Sequence, residues 1–295
     1  MDRKLGKNAL LNFTAFGAPV KRGKTSGATQ EIYDLAGTNY YNANWGWQEG
    51  EKRNARVRDE HQPIFNLRND WKLSDKLQWT TTLGYQTGYT GNSALDWYNS
   101  PDPRPNYYRK LPSFFEGETA DQIAALACCR TVRLDQMYQI NYRSFETIED
   151  ANGIQGNTVS GLRSQYIIED RRSDIRRTSA NTVLEAFLSD HLTVQLGATY
   201  QAQRTHYYKL VDDLLGGDFY INVDRFAEFD STGAFVQNDI NTPNQVIREG
   251  DIFGYDYDYQ IRQGRGGCKP ISPIPKSISS WLVVMVMLNF GVLVM

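Results

Sequence analysis

Hydrophobic and polar positions alternate most clearly between Phe65 and Tyr89. One row reads Phe65, Leu67, Trp71 and Leu73 and then, after a Ser74-Asp75-Lys76 turn, Leu77, Trp79, Leu83, Tyr85 and Tyr89. The other reads Asn66, Arg68, Asp70 and Lys72, then Gln78, Thr80, Thr82 and Gln86. Side chains of a strand point alternately to opposite faces, so the pattern predicts a hairpin with one apolar and one polar face. Each strand is expected to run about ten to thirteen residues, where strands of soluble proteins usually have five or six. At ~3.3 Å per residue and a tilt of about 35–45°, such strands cross a hydrocarbon core of ~30 Å.

The pattern recurs. Leu188 to Gln201 aligns without a gap on Leu73 to Gln86, with Leu, Ser-Asp, Leu and Tyr-Gln at matching positions. Its apolar row is Leu192, Val194, Leu196, Ala198, Tyr200 and Ala202; its polar row is Thr193, Gln195, Gly197, Thr199, Gln201 and Gln203. An earlier strand, Ala9 to Gly17, sets Leu11, Phe13 and Ala15 against Asn12 and Thr14, after a turn at Leu5-Gly6-Lys7-Asn8. A last one, Tyr255 to Arg262, sets Tyr255, Tyr257, Tyr259 and Ile261 against Asp256, Asp258, Gln260 and Arg262.

Long excursions separate these strands. The first, Ala18 to His61, holds a short helix near Gln30 to Leu35. The second runs from Tyr89 to about Arg177. It carries a proline-rich segment at Ser100 to Asn106, a capping box at Thr119 to Gln122 opening a helix through Ala127, and a charge run, Glu169 to Arg177, read as a solvated face. The third spans His206 to Phe253. Short turns at one end and long loops at the other are the asymmetry of outer-membrane barrels. The expected fold is all-β: an antiparallel up-and-down transmembrane β-barrel of which about six strands are visible, whereas closure takes at least eight.

Composition refines this picture. The 295 residues carry a net charge of −2, which gives no bulk attraction to nucleic acid. Mean hydropathy is −0.55, a value a barrel reaches because half of each strand faces a polar lumen and long loops add more polarity. Aromatics form 13% of the chain, including 18 Tyr, as interfacial girdles and tyrosine-rich loops require. Cys128, Cys129 and Cys268 make no disulfide framework or metal spacing. Met1 to Lys4 lead into the first strand without an apolar leader, so the chain is expected to be a piece of an exported protein. After Gln263 the grammar changes: residues 264–295 lack Asp, Glu and Tyr and end in an apolar run from Trp281 to Met295. The expected division is a partial barrel over 1–263 and a non-barrel tail over 264–295, either an anchor or, more simply, translation out of frame.

The wording of FTAFGAPVKRGKTSGATQEIYDLAGTNYYNANWGWQEGEKRNARV (Phe13 to Val57), of the Trp71 hairpin and of REGDIFGYDYDYQIR (Arg248 to Arg262) resembles the barrel region of TonB-dependent outer-membrane receptors of the Bacteroidetes type. The resemblance covers roughly Lys4 to Arg262. It implies a plug inside a barrel of about 22 strands, uptake of an iron chelate, cobalamin or glycan, a place in the cell outer membrane among lipopolysaccharide, and drive from the TonB complex. No TonB box or plug is seen in this sequence, so transport is expected only of a larger whole.

Under that reading Tyr40, Tyr41, Trp45, Trp47, Tyr107 and Tyr108 are candidate contacts for a small-molecule or glycan ligand, since aromatic faces stack on sugar or chelate rings. The simpler role for them is to brace loops or sit in the girdle. Arg68, Asp70 and Lys72 are expected to pair with neighbouring strands or with the plug. No catalytic, cofactor-binding or metal-binding residue is assigned, no ligand-binding residue is fixed, and the chain is not read as an enzyme. Two alternatives remain. Ala18 to Thr25 resembles a phosphate-binding loop, but Ala18 stands where its first glycine belongs and the preceding strand is half polar. A soluble all-β ligand-binding module is expected to have shorter strands and similar loops at both ends. A hydrolase has little to draw on, since His61, His191 and His206 share no metal spacing, and His191 takes the turn position of Lys76.

Overall fold

The computed structural model of the chain describes residues 1–115, 131–190, 192–224, 236–271 and 286–294. Its strands, in chain order, are β1 (Asp2–Leu5), β2 (Ala9–Phe16), β3 (Val20–Gly23), β4 (Trp45–Gln48), β5 (Glu51–Asn54), β6 (Val57–His61), β7 (Ile64–Ser74), β8 (Leu77–Trp97), β9 (Val132–Arg133), β10 (Phe145–Ile148), β11 (Val159–Leu162), β12 (Tyr166–Ser189), β13 (Leu192–Asp213), β14 (Tyr220–Ile221), β15 (Val246–Ile247), β16 (Ile252–Ile271) and β17 (Val286–Val294). Among the described residues two α-helices lie in the loops, α1 (Gln30–Ala36) and α2 (Leu134–Asn141). The fold is mostly strand.

One ten-stranded sheet forms a wall in the order β1-β2-β7-β8-β12-β13-β16-β17, with β3 and β6 pairing beside it. Every pairing in it is antiparallel. Strands β2 and β3 keep a single register against β7 and β6, from Ala9 opposite Trp71 to Gly23 opposite Val57, so each pair is one interrupted strand. Among the described residues the sheet is open, with β1 and β17 at its edges.

Short turns lie at one end. They are Gly6 to Asn8, where Gly6 takes a φ of 76°, then Asp75-Lys76 and the connection between Ser189 and Leu192, which pair with each other; His191, expected at that turn, lies outside the described residues. The repeated hairpins match in detail, since Ser74 pairs with Leu77 and Ser189 with Leu192, each beside a register shift. The long connections all leave from the other end.

Several boundaries differ from those expected. β1 adds an edge strand before the Gly6 turn. β8, β12 and β13 run 21, 24 and 22 residues, so the charge run Glu169 to Arg177 belongs to β12 and the second excursion ends at Gln165. Charges on both faces hide a strand from an alternation test, but here they meet partners across the sheet: Lys209 Nζ lies 3.1 Å from Glu169, and the Arg172 guanidinium sits 4.2 Å from the Tyr89 ring centre. β16 extends from Ile252 to Ile271 without a break at Gln263, pairing Gly264 with Tyr200 and Cys268 with Leu196, and β17 pairs beside it. The expected helix near Gln30 is α1, closed by Gly37 at a φ of 67° whose N–H reaches the Tyr33 and Asp34 carbonyls. The capping box at Thr119 and the Cys128-Cys129 pair lie outside the described residues.

Among the described residues the buried core lies where the loops pack on the upper ends of β12, β13 and β16, not along the lower part of the wall. Ala55, Val132, Leu134, Met137, Tyr166, Ile168 and Leu215 form one cluster, and Ile167, Val211, Leu214, Tyr220, Ile247 and Phe253 another. Neighbouring Ile167 and Ile168 join different clusters, so the upper end of β12 is covered on both faces.

Candidate functional site

Cross-strand neighbours share a face, so the registers sort the wall's side chains into rows. One row holds Ala9, Trp71, Trp79, Leu184, Leu196 and Cys268. Four residues further from the turns lies Phe13, Leu67, Leu83, Ala180, Tyr200 and Gly264, and two further again Ala15, Phe65, Tyr85, Thr178, Ala202 and Arg262. The opposite face carries Asn12, Arg68, Thr82, Asn181, Thr199 and Arg265. The tyrosines of β16 also lie on that polar face, where Tyr257 stacks on Tyr207 at 5.4 Å.

The apolar face is a belt open to the surroundings: Leu83 is 49% exposed, Leu196 47% and Trp71 43%. Two aromatic levels bracket it, Trp71 stacked on Trp79 at 6.1 Å nearer the turns and Phe65 stacked on Tyr85 at 6.5 Å above. The polar groups inside the belt satisfy one another, since Trp79 Nε1 donates to Thr182 Oγ1 at 2.6 Å and the Thr81 and Thr182 hydroxyls lie 3.0 Å apart. From the Leu77 row to the Tyr85 row is eight residues, about 26 Å along a strand at ~3.3 Å each. Above that the same face turns charged within two residues, with Arg176, Arg204, Asp174, His206, Asp258 and Arg172.

At the far end the loops knit into a layer. Glu31 of α1 accepts from the Ser113 N–H at 2.9 Å and hydroxyl at 2.7 Å. β4 pairs with β5 through a Glu49-Gly50 turn and runs parallel to β9; both turn residues have positive φ, 51° and 83°, as a two-residue hairpin demands. Of the aromatic candidates, Trp45 and Trp47 come together edge to face at 6.1 Å, with Lys52 Nζ 5.5 and 5.4 Å from their ring centres. Tyr107 and Tyr108 form a second group at 4.8 Å, with Phe114 against Tyr108. Tyr40 stands apart, 94% exposed, and the Tyr41 carbonyl accepts from Thr25.

Lys52 also lines a cavity of about 360 Å³ with Lys21, Arg53, Asn54, Asp59, Ser93, Asp170 and Asp212. Asp170 Oδ1 is buried there with no hydrogen-bond partner among the described residues. Nearby, burial and then the Arg56, Arg58 and Arg22 charges hold the Lys24 ammonium below the usual lysine range. The arrangement offers stacking faces beside groups of both signs, chemistry that suits a polar, ring-bearing ligand. Sequence reasoning found the two tryptophans and missed Lys52, Arg53, Asp170 and Asp212; the hairpin turn at Glu49-Gly50 was the available signal for Lys52. Of the polar-face residues, Asp70 accepts from Thr80 across the strand pair and pairs with Arg68 at 2.8 Å, and Lys72 pairs with Asp75 at 2.7 Å. The stretch resembling a phosphate loop contains β3, and Lys24 Nζ donates to Asn92 at 3.0 Å. Among the described residues no group of His, Cys, Asp or Glu is placed to hold a metal ion, and no helix is long and apolar enough to cross a membrane, which says nothing of crossing by strands.

Gly46 fixes the tryptophan pair. A Cβ at this position would lie 1.8 Å from the Val132 carbonyl oxygen, so Gly46→Ala is expected to part β4 from β9 at a cost of about 1–3 kcal/mol. Proteolytic cleavage near Trp47 should accelerate while the wall hairpins stay protected; unchanged cleavage would show that the close approach is not needed.

No known protein family matches the chain, and no curated protein matches it either.

Proposed function

We propose that the chain builds part of the wall of a TonB-dependent outer-membrane receptor, with the belt facing lipid and the loop layer facing outward to capture a scarce nutrient. The observation that carries this reading is the belt itself. A soluble protein rarely exposes a contiguous apolar patch beyond a few hundred Å², whereas this one exposes the apolar face of its wall from the Trp71 row to the Tyr85 row and keeps its buried clusters further up, where loops pack on the strand ends. Aromatic levels above and below, polar side chains opposite, and short turns at one end support the same reading. Open sheet edges are not tolerated in lipid, so a working barrel takes further strands, and uptake belongs to that closed assembly with its plug and the TonB complex. The Trp45, Trp47 and Lys52 cluster favours a sugar or chelate ring as cargo.

The test is bilayer insertion. Chain refolded into phosphatidylcholine vesicles is expected to gain strand signal and to have its tryptophan emission quenched by bromines placed on the acyl chains. Changing Trp71 and Trp79 together to Phe should remove most of that quenching. A monomer that folds fully in plain buffer and ignores brominated lipid would instead favour a soluble ligand-binding module.

A further inference from the structure

We propose that Arg176, Arg204 and Arg262, at the upper margin of the apolar belt, form a docking site for the phosphate of a lipid headgroup; the inference rests on the membrane reading above. Arg176 of β12 stands directly opposite Arg204 of β13, and Arg262 of β16 is opposite Ala202, diagonal to Arg204. All three are exposed. Like charges directly opposite each other in an antiparallel pair are unfavourable, and among the described residues a single carboxylate answers the group, Asp258 at 2.5 Å from Arg204. The side chains of Arg176 and Arg262 make no ion pair or hydrogen bond among the described residues.

Further from the turns the cations of this face are answered one by one. Arg172 has Asp170 at 3.6 Å and Asp174 at 3.8 Å, and Lys21 lies 3.9 Å from Asp59. Uncompensated positive charge is therefore concentrated in the rows that border Tyr85, Thr178 and Tyr200. A lipid whose acyl chains lie against Leu83, Ala180 and Leu196 brings its headgroup to that level. Guanidinium forks match phosphate oxygens in shape and charge, and the apolar belt directly below selects a lipid over a free phosphate.

The chain, folded in micelles of a neutral detergent, is titrated with dioctanoyl phosphatidic acid, dioctanoyl phosphatidylcholine, octanoate and glycerol 3-phosphate. Phosphatidic acid should bind best, and Arg176→Gln with Arg262→Gln should weaken it about 25-fold, roughly fivefold per arginine. Asp258→Asn, which releases Arg204, should tighten binding about fivefold, a gain that misfolding does not produce. Equal binding of octanoate, equal binding of glycerol 3-phosphate, or no effect of the arginine variants would each overturn the site while leaving bilayer insertion intact. Absence of quenching by brominated lipid in the insertion experiment would remove the membrane reading and this site together.

Discussion

Leu83→Arg is expected to prevent assembly into a bilayer, while Thr82→Arg, one residue away, is expected to affect it far less. Leu83 sits in the belt between Leu67 and Ala180, half exposed. A charge near the middle of a lipid-facing belt costs about 2–4 kcal/mol, which is roughly 30- to 1,000-fold in the folded fraction. Thr82 pairs with Arg68 and Asn181 on the opposite face, where an added cation stays among polar neighbours and facing Arg68 costs at most about 1 kcal/mol. The measurement is urea-dependent folding of both variants into phosphatidylcholine vesicles, followed by strand signal. Equal penalties at 82 and 83 would mean that the two faces see the same medium, and the assignment of the belt to lipid would be lost.

The second large effect lies in the loop layer, at Asn141 on the last turn of α2. Its side chain is wholly buried. The amide donates to the carbonyls of Tyr166, Leu214 and Leu215 at 2.8, 3.0 and 3.0 Å, and its oxygen accepts from the Gln165 and Tyr166 N–H groups at 2.9 and 3.2 Å. One residue thus ties the second long connection to the top of β12 and to the chain leaving β13. Asn141→Leu fills similar space but strands these backbone groups in a dry core, at a cost of about 3–4 kcal/mol. Proteolysis should then cut the connections around residues 98–165 and 214–251 rapidly, and leave the β7–β8 and β12–β13 hairpins intact. Asn141→Asp is expected to fare no better, because it keeps the acceptor and buries a charge in place of the donors. A loop layer as resistant in either variant as in the parent chain would show that Leu134, Ile168 and Leu215 hold it unaided.

The wall was legible wherever a strand is wet on one face only. The Phe65 to Tyr89 rows, the Leu192 to Ala202 row and the matching Ser-Asp turns appear in the structure as read, because a period of two is printed directly in such strands. The upper half of β12 escaped notice because Arg171, Arg172, Asp174 and Arg176 place charge on both faces. Gly264, Gly266 and Gly267 erase the period in the lower part of β16. The loop layer could not be anticipated for a different reason. Its main cluster draws on Ala55, Val132, Tyr166 and Leu215, residues far apart in the chain whose meeting no local pattern encodes. At the candidate cavity the same limit applies: the tryptophans were visible as residues, and Asp170 and Asp212 became neighbours of Lys52 only through the pairing of long strands.

The uneven spacing of the connections also sets an order of events. β7 meets β8 and β12 meets β13 across turns that begin at Ser74 and Ser189, so those hairpins close locally, on the microsecond scale of such elements. Joining β8 to β12 means closing the chain between Trp97 and Tyr166, about five doublings longer and about 3 kcal/mol dearer in loop entropy. Hairpins should therefore arrive first as separate ribbons, each with one greasy side and unpaired edges. Until the loop clusters draw them together, these ribbons are the species most prone to self-association, and a holding chaperone would act on them rather than on the finished wall.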